Sequence, residues 1–255
     1  MTTSAHEDGQ WTGLREQARE LCRSMALIHR RGWCDGTGGN FSVVLRRPPD
    51  LELLMAPSGV DKGRVKPSEL IVVDGCERVL RGTGRVSAEM RLHQAIVVST
   101  GAGAVLHTHS QAATLLSREA MGELDGRDAS RSPREGAVET AAGEPTRPAW
   151  AERGSSAAHV DIEGLEMLKG LEGIHTHASL IRIPVLANDQ DLQRLSEAAR
   201  PHLAEAPHGI LIAGHGLYAW GAELRQAMRH LEILEFLLEQ HWRQKLWNAL
   251  VIRKR

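Results

Sequence analysis

Three histidines, His107, His109 and His215, are the residues in this sequence whose types and spacing best suit shared chemistry. His107 and His109 directly follow the apolar run Ala-Val-Leu. On a strand, residues two apart point to the same side, so both imidazoles can face one metal ion. Spacing of this kind is common, and such a pair can equally do no more than hydrogen-bond at a strand end. His215 follows the apolar run GILI and has glycine on either side, which permits close backbone approach. Three protein ligands with one open position is the usual composition of a catalytic zinc site. A second His-x-His, His175 and His177, follows the helix exit LEG. A connecting segment there suits a substrate contact or a structural role better than a ligand role.

Donors for an anion are also present. In GTGGN (36–40) the glycines expose backbone N–H groups, and Thr37 and Asn40 add side-chain donors. The loop lacks the last glycine of G-x-G-x-x-G and precedes a strand, so a dinucleotide fold is disfavoured. SGV at 58–60 and Ser87-Ala88, at the start of a predicted helix, add further donors. Three separated donor loops beside a metal point to a phosphorylated substrate. Glu89 and His93 lie four apart on that helix and share a face. Glu166 lies three residues before Lys169. An exposed helical carboxylate is ordinarily a solvated charge, and that reading applies to both glutamates.

The elements that must position these residues follow from periodicity. Residues 11–31 read as an amphipathic helix with Leu14, Leu21, Met25 and Ile28 near one face. The strand after GTGGN pairs with LELLMAP through a Pro-Pro-Asp turn. ELIVVDG is a strand. SAEMRLHQAIVVST is a helix capped by Ser87. GAGAVLHTHS is a buried strand, and QAATLLSREAM begins a helix. IEGLEMLKGL is expected as a helix, IHTHASLIRIPVL as strand-like, DLQRLSEAARPHL as a helix and GILIAGHGLYAWG as one strand. ELRQAMRHLEILEFLLEQHWRQKLW closes the chain as a long amphipathic helix. Interleaving of this kind predicts a single layered α/β domain over residues 1–255, with a central mixed, largely antiparallel sheet flanked by helices. Residues 117–158 are poor in large apolar side chains and rich in Ala, Gly, Ser, Arg, Glu and Pro, the texture of a flexible insertion.

Composition excludes several classes. The formal net charge of the 255-residue chain is -1, which leaves no general nucleic-acid footprint. No apolar run approaches the roughly 18 residues of a membrane span. The polar, acidic start lacks a secretory signal pattern. Three scattered cysteines do not form a disulfide framework. A cytoplasmic location is the expectation.

Taken in order, GTGGN, PSGV, the SAE helix start, HTHS and GHGLYAWG resemble the class II aldolase/adducin family, over roughly residues 12–245 apart from the insertion. Five motifs in register make the resemblance specific. Within the family, GLEMLKG, RIPVLANDQD and HGLYAWG are more similar to the methionine-salvage dehydratases than to the sugar-phosphate aldolases. The resemblance implies one Zn2+ per subunit on His107, His109 and His215. It implies a phosphate cradle from Thr37, Gly39, Asn40, Ser58, Gly59, Ser87 and Ala88, and Glu166 as catalytic acid/base. It implies a homotetramer acting on a small phosphorylated keto-sugar: dehydration of 5-methylthioribulose 1-phosphate to 2,3-diketo-5-methylthiopentyl 1-phosphate. Glu89 stands where the aldolases keep their catalytic carboxylate, so an aldolase of the fuculose, rhamnulose or ribulose phosphate type is the alternative. A non-catalytic adducin-like module is a more distant one.

Overall fold

The computed structural model describes residues 14–122 and 158–252. Helix α1 spans Arg15–Arg30 and buries Ala18, Leu21, Met25 and Ile28. Their spacing of three, four and three residues places them on one stripe of a 3.6-residue helix. Strands β1 (Asn40–Arg46) and β2 (Glu52–Met55) form the expected hairpin. β3 (Ile71–Asp74) and a short exposed β4 (Val79–Arg81) extend it. Helix α2 (Met90–Thr100), strand β5 (Ala104–Thr108) and helix α3 (Gln111–Ala120) follow. Past the undescribed segment come β6 (Ala158–Ile162), β7 (Ile181–Leu186), helix α4 (Leu192–Leu203), β8 (Gly209–Ile212), β9 (Gly216–Gly221) and helix α5 (Leu224–Ile252).

Among the described residues, nine strands form one sheet in the order β4-β3-β2-β1-β5-β9-β8-β7-β6. Every neighbouring pair is antiparallel except β7 with β8. The mixed, largely antiparallel sheet with flanking helices is thus as expected. Alternation along the strands splits the core in two. Leu54, Leu106, Leu217 and Ala219 pack with α1, α3 and α5. Leu53, Val105, Ile210, Tyr218 and Trp220 pack on the other face with α2 and α4. Each fully buried aliphatic side chain contributes about 1.5–3 kcal/mol, and burial on both faces fixes strand register, because a one-residue slip would exchange the faces.

Four local expectations need correction. Helix α2 begins at Met90, with Glu89 as N-cap residue and no side-chain cap. The Ser87 carbonyl accepts from the Met90 N–H, so Ser87 lies in the preceding turn. IEGLEMLKGL is not an α-helix: its start closes β6, and Glu166–Gly170 form a 3-10 helix. Leu165, Leu168 and Leu171 are three apart, which matches the 3.0-residue turn of a 3-10 helix. The run 209–221 is a hairpin of two strands, β8 and β9, with His215 in the connection between them. Lastly, of the segment 117–158, residues 117–120 complete α3 and Ala158 opens β6. Residues 123–157 lie outside the described residues.

One contact joins the two layers beneath the His-x-His strand. Thr108 Oγ1 donates to Glu235 Oε1 of α5 at 2.5 Å. Burial pushes the Glu235 carboxyl from 4.5 up to about 7, against the opposing hydrogen bonds from Ser110 and Thr108. Above its ordinary value the unfolded chain releases this proton while the folded chain keeps it. Native stability therefore falls as pH rises between about 4.5 and 7, and the effect is complete above the folded value. The Glu235→Gln variant lacks this loss, so its stability relative to wild type should rise across that window. Denaturant unfolding of both proteins at about pH 5 and about pH 8 checks it; a difference independent of pH would contradict the assignment.

Candidate metal centre

His107 is the fourth residue of β5, and both neighbouring strands set its surroundings. Register pairs it with Asn40 of β1 and with Tyr218 of β9. Its ring stacks on the Tyr218 ring at 3.9 Å and 12°. Its Nδ1 lies 3.0 Å from the Leu217 carbonyl. A carbonyl only accepts, so Nδ1 carries the proton and Nε2 presents its lone pair. His109 follows the strand end, with its backbone N–H on the Trp33 carbonyl at 2.7 Å. Two glycines make the close approach possible. A Cβ at Gly216 would lie 1.9 Å from the Thr108 carbonyl oxygen, and one at Gly39, whose φ is +72°, would lie 2.8 Å from that of His107.

The three histidines converge. His109 Nε2 lies 2.9 Å from His107 Nε2, and His107 Nε2 lies 3.3 Å from His215 Nε2. Glu89 joins them, with Oε2 3.5 Å from His107 Nε2 and Oε1 3.2 Å from His215 Nε2. All four donor atoms lie within 4.8 Å of one another. Two nitrogens each about 2.0–2.1 Å from one tetrahedral ion stand about 3.3 Å apart, so the separations fit a shared divalent cation. Electrostatics fit too. Burial drives His107 well below its ordinary value and lowers His109, only partly countered by Glu89. Burial thus favours the neutral imidazole, the form that can offer a lone pair to a metal. Burial alone would raise Glu89, but the hydrogen bonds from His215 and the Asn40 amide, with the surrounding imidazoles, outweigh it and hold the carboxylate ionised.

Behind the cluster stands a supporting layer, of which the sequence had not singled out Tyr218 or Ser42. Tyr218, the one tyrosine in the chain, donates its hydroxyl to Glu89 Oε2 at 3.1 Å. Asn40 Nδ2 donates to the same oxygen. His93, four residues beyond Glu89, is buried and shares a 2.7 Å hydrogen bond through Nδ1 with Ser42 Oγ. It does not enter the cluster, and burial lowers it to about 4.

The donor loops meet beside the cluster. A cavity of about 160 Å³ is lined by Thr37, Gly38, Gly39, Asn40, Ala56, Pro57, Ser58, Gly59, Lys62, Ser87, Glu89 and His109. Six of the seven candidate cradle residues line it; Ala88 does not. Lys62 is an addition.

The remaining candidates lie elsewhere in the single chain. Glu166 is 72% exposed and paired with Lys169, with His177 Nδ1 3.8 Å from its Oε2. His175 and His177 are both exposed in an irregular segment. A second group, Glu172, His208 and His230, also brings donor atoms together. There the His208 and His230 rings stack at 4.0 Å and 22°, which sets their in-plane lone pairs side by side, not toward one point.

A fold of this topology has counterparts among known proteins. Residues 19–242 match the Class II Aldolase and Adducin N-terminal domain, and the chain belongs to that family. Relatives named methylthioribulose-1-phosphate dehydratase include the following two. The one from Sorangium cellulosum is 36% identical, covering 87% of this chain and 89% of its own. The one from Granulibacter bethesdensis is 38% identical, covering 92% and 93%. Among solved structures, L-fuculose-1-phosphate aldolase from Thermus thermophilus superposes with a TM-score of 0.62 at 22% identity, over 92% of this chain and 99% of that one. YgbL from Escherichia coli, a putative aldolase/epimerase/decarboxylase, gives 0.63 at 22% identity, over 88% and 87%. Among the described residues, no helix is long and apolar enough to cross a membrane.

Elemental analysis of purified variants checks the ligand set. Replacing His107, His109 or His215 by alanine should abolish stoichiometric binding of a divalent metal, whereas His175→Ala and His177→Ala should keep it. Full occupancy in His215→Ala would mean the wrong third ligand.

Proposed function

We propose that the protein is a hydro-lyase that converts 5-methylthioribulose 1-phosphate into 2,3-diketo-5-methylthiopentyl 1-phosphate and water. The observation that carries this reading is the convergence of three imidazoles and a carboxylate at the mouth of a donor-lined cavity, in a chain whose relatives bear the dehydratase name. The residues fit a divalent ion: two of the imidazoles are held neutral by burial, and the Nε2 atoms of all three face one another and the Glu89 carboxylate at separations one ion can span. Zinc on His107, His109 and His215, one ion per chain, would supply Lewis acidity at the substrate's C2 carbonyl oxygen and so make the C3 proton acidic.

The chain's own groups then divide the work. Thr37, Gly39, Asn40, Ser58, Gly59 and Ser87 bind the phosphate and fix the carbon chain relative to the histidines. A carboxylate takes the proton from C3 as an enediolate forms. The same group, now protonated, donates to the C4 hydroxyl, the C4–O bond breaks and water leaves. The resulting enol takes up a proton at C4 to give the diketone. Glu89 suits this task poorly, because its oxygens are already engaged by Asn40, Tyr218 and His215; it orients the imidazoles and would balance the charge of a bound cation. Glu166 is the proposed acid/base. Since it stands exposed and away from the cluster of its own chain, it serves the site of a neighbouring subunit in an assembly expected to be a homotetramer.

Glu89 in the cluster favours a class II sugar-phosphate aldolase as the second reading, since that is where the aldolase carboxylate belongs. Assays with methylthioribulose 1-phosphate and with fuculose 1-phosphate separate the two. Dehydration of the first without cleavage of the second is expected; the reverse would establish the aldolase. Glu166→Gln should lose at least about a hundredfold in turnover at unchanged metal content, and Glu89→Gln should lose less. Mixed assemblies of Glu166→Gln and His109→Ala chains should regain activity that neither has alone. Failure of mixing to restore turnover would place Glu166 in its own chain's site or remove it from the reaction.

A further inference from the structure

In the sequence SGVDKG, Lys62 reads as one more charge in a polar loop. The fold buries it to 2% exposure. Lysines are almost never buried this fully without an anionic partner, and among the described residues no carboxylate lies within 4.0 Å of its ammonium. The nearest anions are committed elsewhere. Asp61 accepts from the Gly63 N–H and faces Arg64, and Glu89 is held by the histidines, Asn40 and Tyr218. Two of the three ammonium donors are used: Nζ lies 3.0 Å from the Thr37 carbonyl and 3.1 Å from the Val60 carbonyl. Those carbonyls belong to the GTGGN loop and to the loop after Ser58, the two walls of the cavity that Lys62 itself lines. A lone charge buried at this cost needs an anion, and the cavity is where one can enter.

We propose that Lys62 supplies the fixed positive charge of the phosphate pocket and clamps its two loops, so that the site selects a dianionic phosphoester over a monoanionic or neutral substrate. This rests on the reading of the cavity as a phosphate cradle. The bridge to Thr37 and Val60 turns their carbonyls toward the ammonium, so the cavity presents donors of the same loops, the Gly39 and Gly59 N–H groups and the Thr37 hydroxyl among them, to the ligand. Burial lowers the Lys62 pKa, against the pull of Cys34, Asp61 and Glu89; a bound dianion would favour the charged form.

The test uses the metal-loaded enzyme and inorganic phosphate as the probe. Phosphate affinity by calorimetry, and kcat and KM for methylthioribulose 1-phosphate, are compared in wild type, Lys62→Gln and Lys62→Arg. Glutamine can still donate to the carbonyls but carries no charge. It should weaken phosphate binding and raise KM at least about tenfold, the scale of a lost charge-assisted hydrogen bond, with a much smaller change in kcat. Arginine should recover part of the affinity. Unchanged phosphate affinity in Lys62→Gln, or no measurable phosphate binding by wild type, overturns the proposal. Inactivity of wild type toward the sugar phosphate, with phosphate affinity still dependent on Lys62, would instead count against the dehydratase reading alone. Should both variants misfold, wild type decides: inorganic phosphate should bind at least about tenfold more tightly than monoanionic methyl sulfate, and equal affinities would overturn the assignment.

Discussion

The register between β1, β5 and β9 is the constraint on which the site depends. It lines up Asn40, His107 and Tyr218 as a row across three adjacent strands, with Asn40 opposite His107 and His107 opposite Tyr218. Each contributes to holding one carboxylate. Asn40 and Tyr218 donate to Glu89, and His107 approaches it at 3.5 Å. Side chains alternate strictly along a strand, so a slip of one residue would send all three to the opposite face. The apolar neighbours in the same strands forbid that slip. Leu106, Leu217 and Ala219 belong to one core and Val105, Tyr218 and Trp220 to the other. Precision at the site is therefore enforced by packing some distance from it.

The two faces carry different burdens. The face that packs against α2 presents the row to Glu89, which stands at the start of that helix. The face that packs against α5 holds the same strand from behind, through Thr108 and Glu235. Thr108 lies between His107 and His109, so a contact made on the far face fixes the span from which both imidazoles project. Such support limits the looseness that a three-histidine site could otherwise show.

Local chemistry was legible where it depended on local geometry. His107 and His109 could be paired because strand periodicity alone puts them on one side, and His215 stood out because glycines flank it. The long helices and most strands followed from apolar spacing. What failed had physical reasons. Ser87 looked like a helix cap, but its side chain is not used as one, and the helix opens instead where Glu89 turns inward. The leucines at 165, 168 and 171 fit a 3-10 turn as well as an α-helix. ILIA and LYAW are both continuous apolar runs, so the short Gly-His-Gly between them read as part of one strand and not as its turn. β4 is three exposed residues long, and β6 adjoins a polar segment, so neither rose above its surroundings. Tyr218 and Lys62 were missed because burial of a single polar side chain is a tertiary fact with no signature in the neighbouring residues.

The carboxylates show why position in sequence and position in space had to be separated. Two glutamates competed for one role, and both looked like ordinary helical charges. The fold gives them opposite fates. Glu89 is enclosed and engaged by donors on several sides, which is the condition of a group that orients others. Glu166 stands on a short turn anchored by the buried Leu168, exposed to solvent and paired with Lys169. A base that must accept a proton and then give it up needs oxygens not already saturated by fixed donors. By that criterion the better-ordered carboxylate is the poorer base.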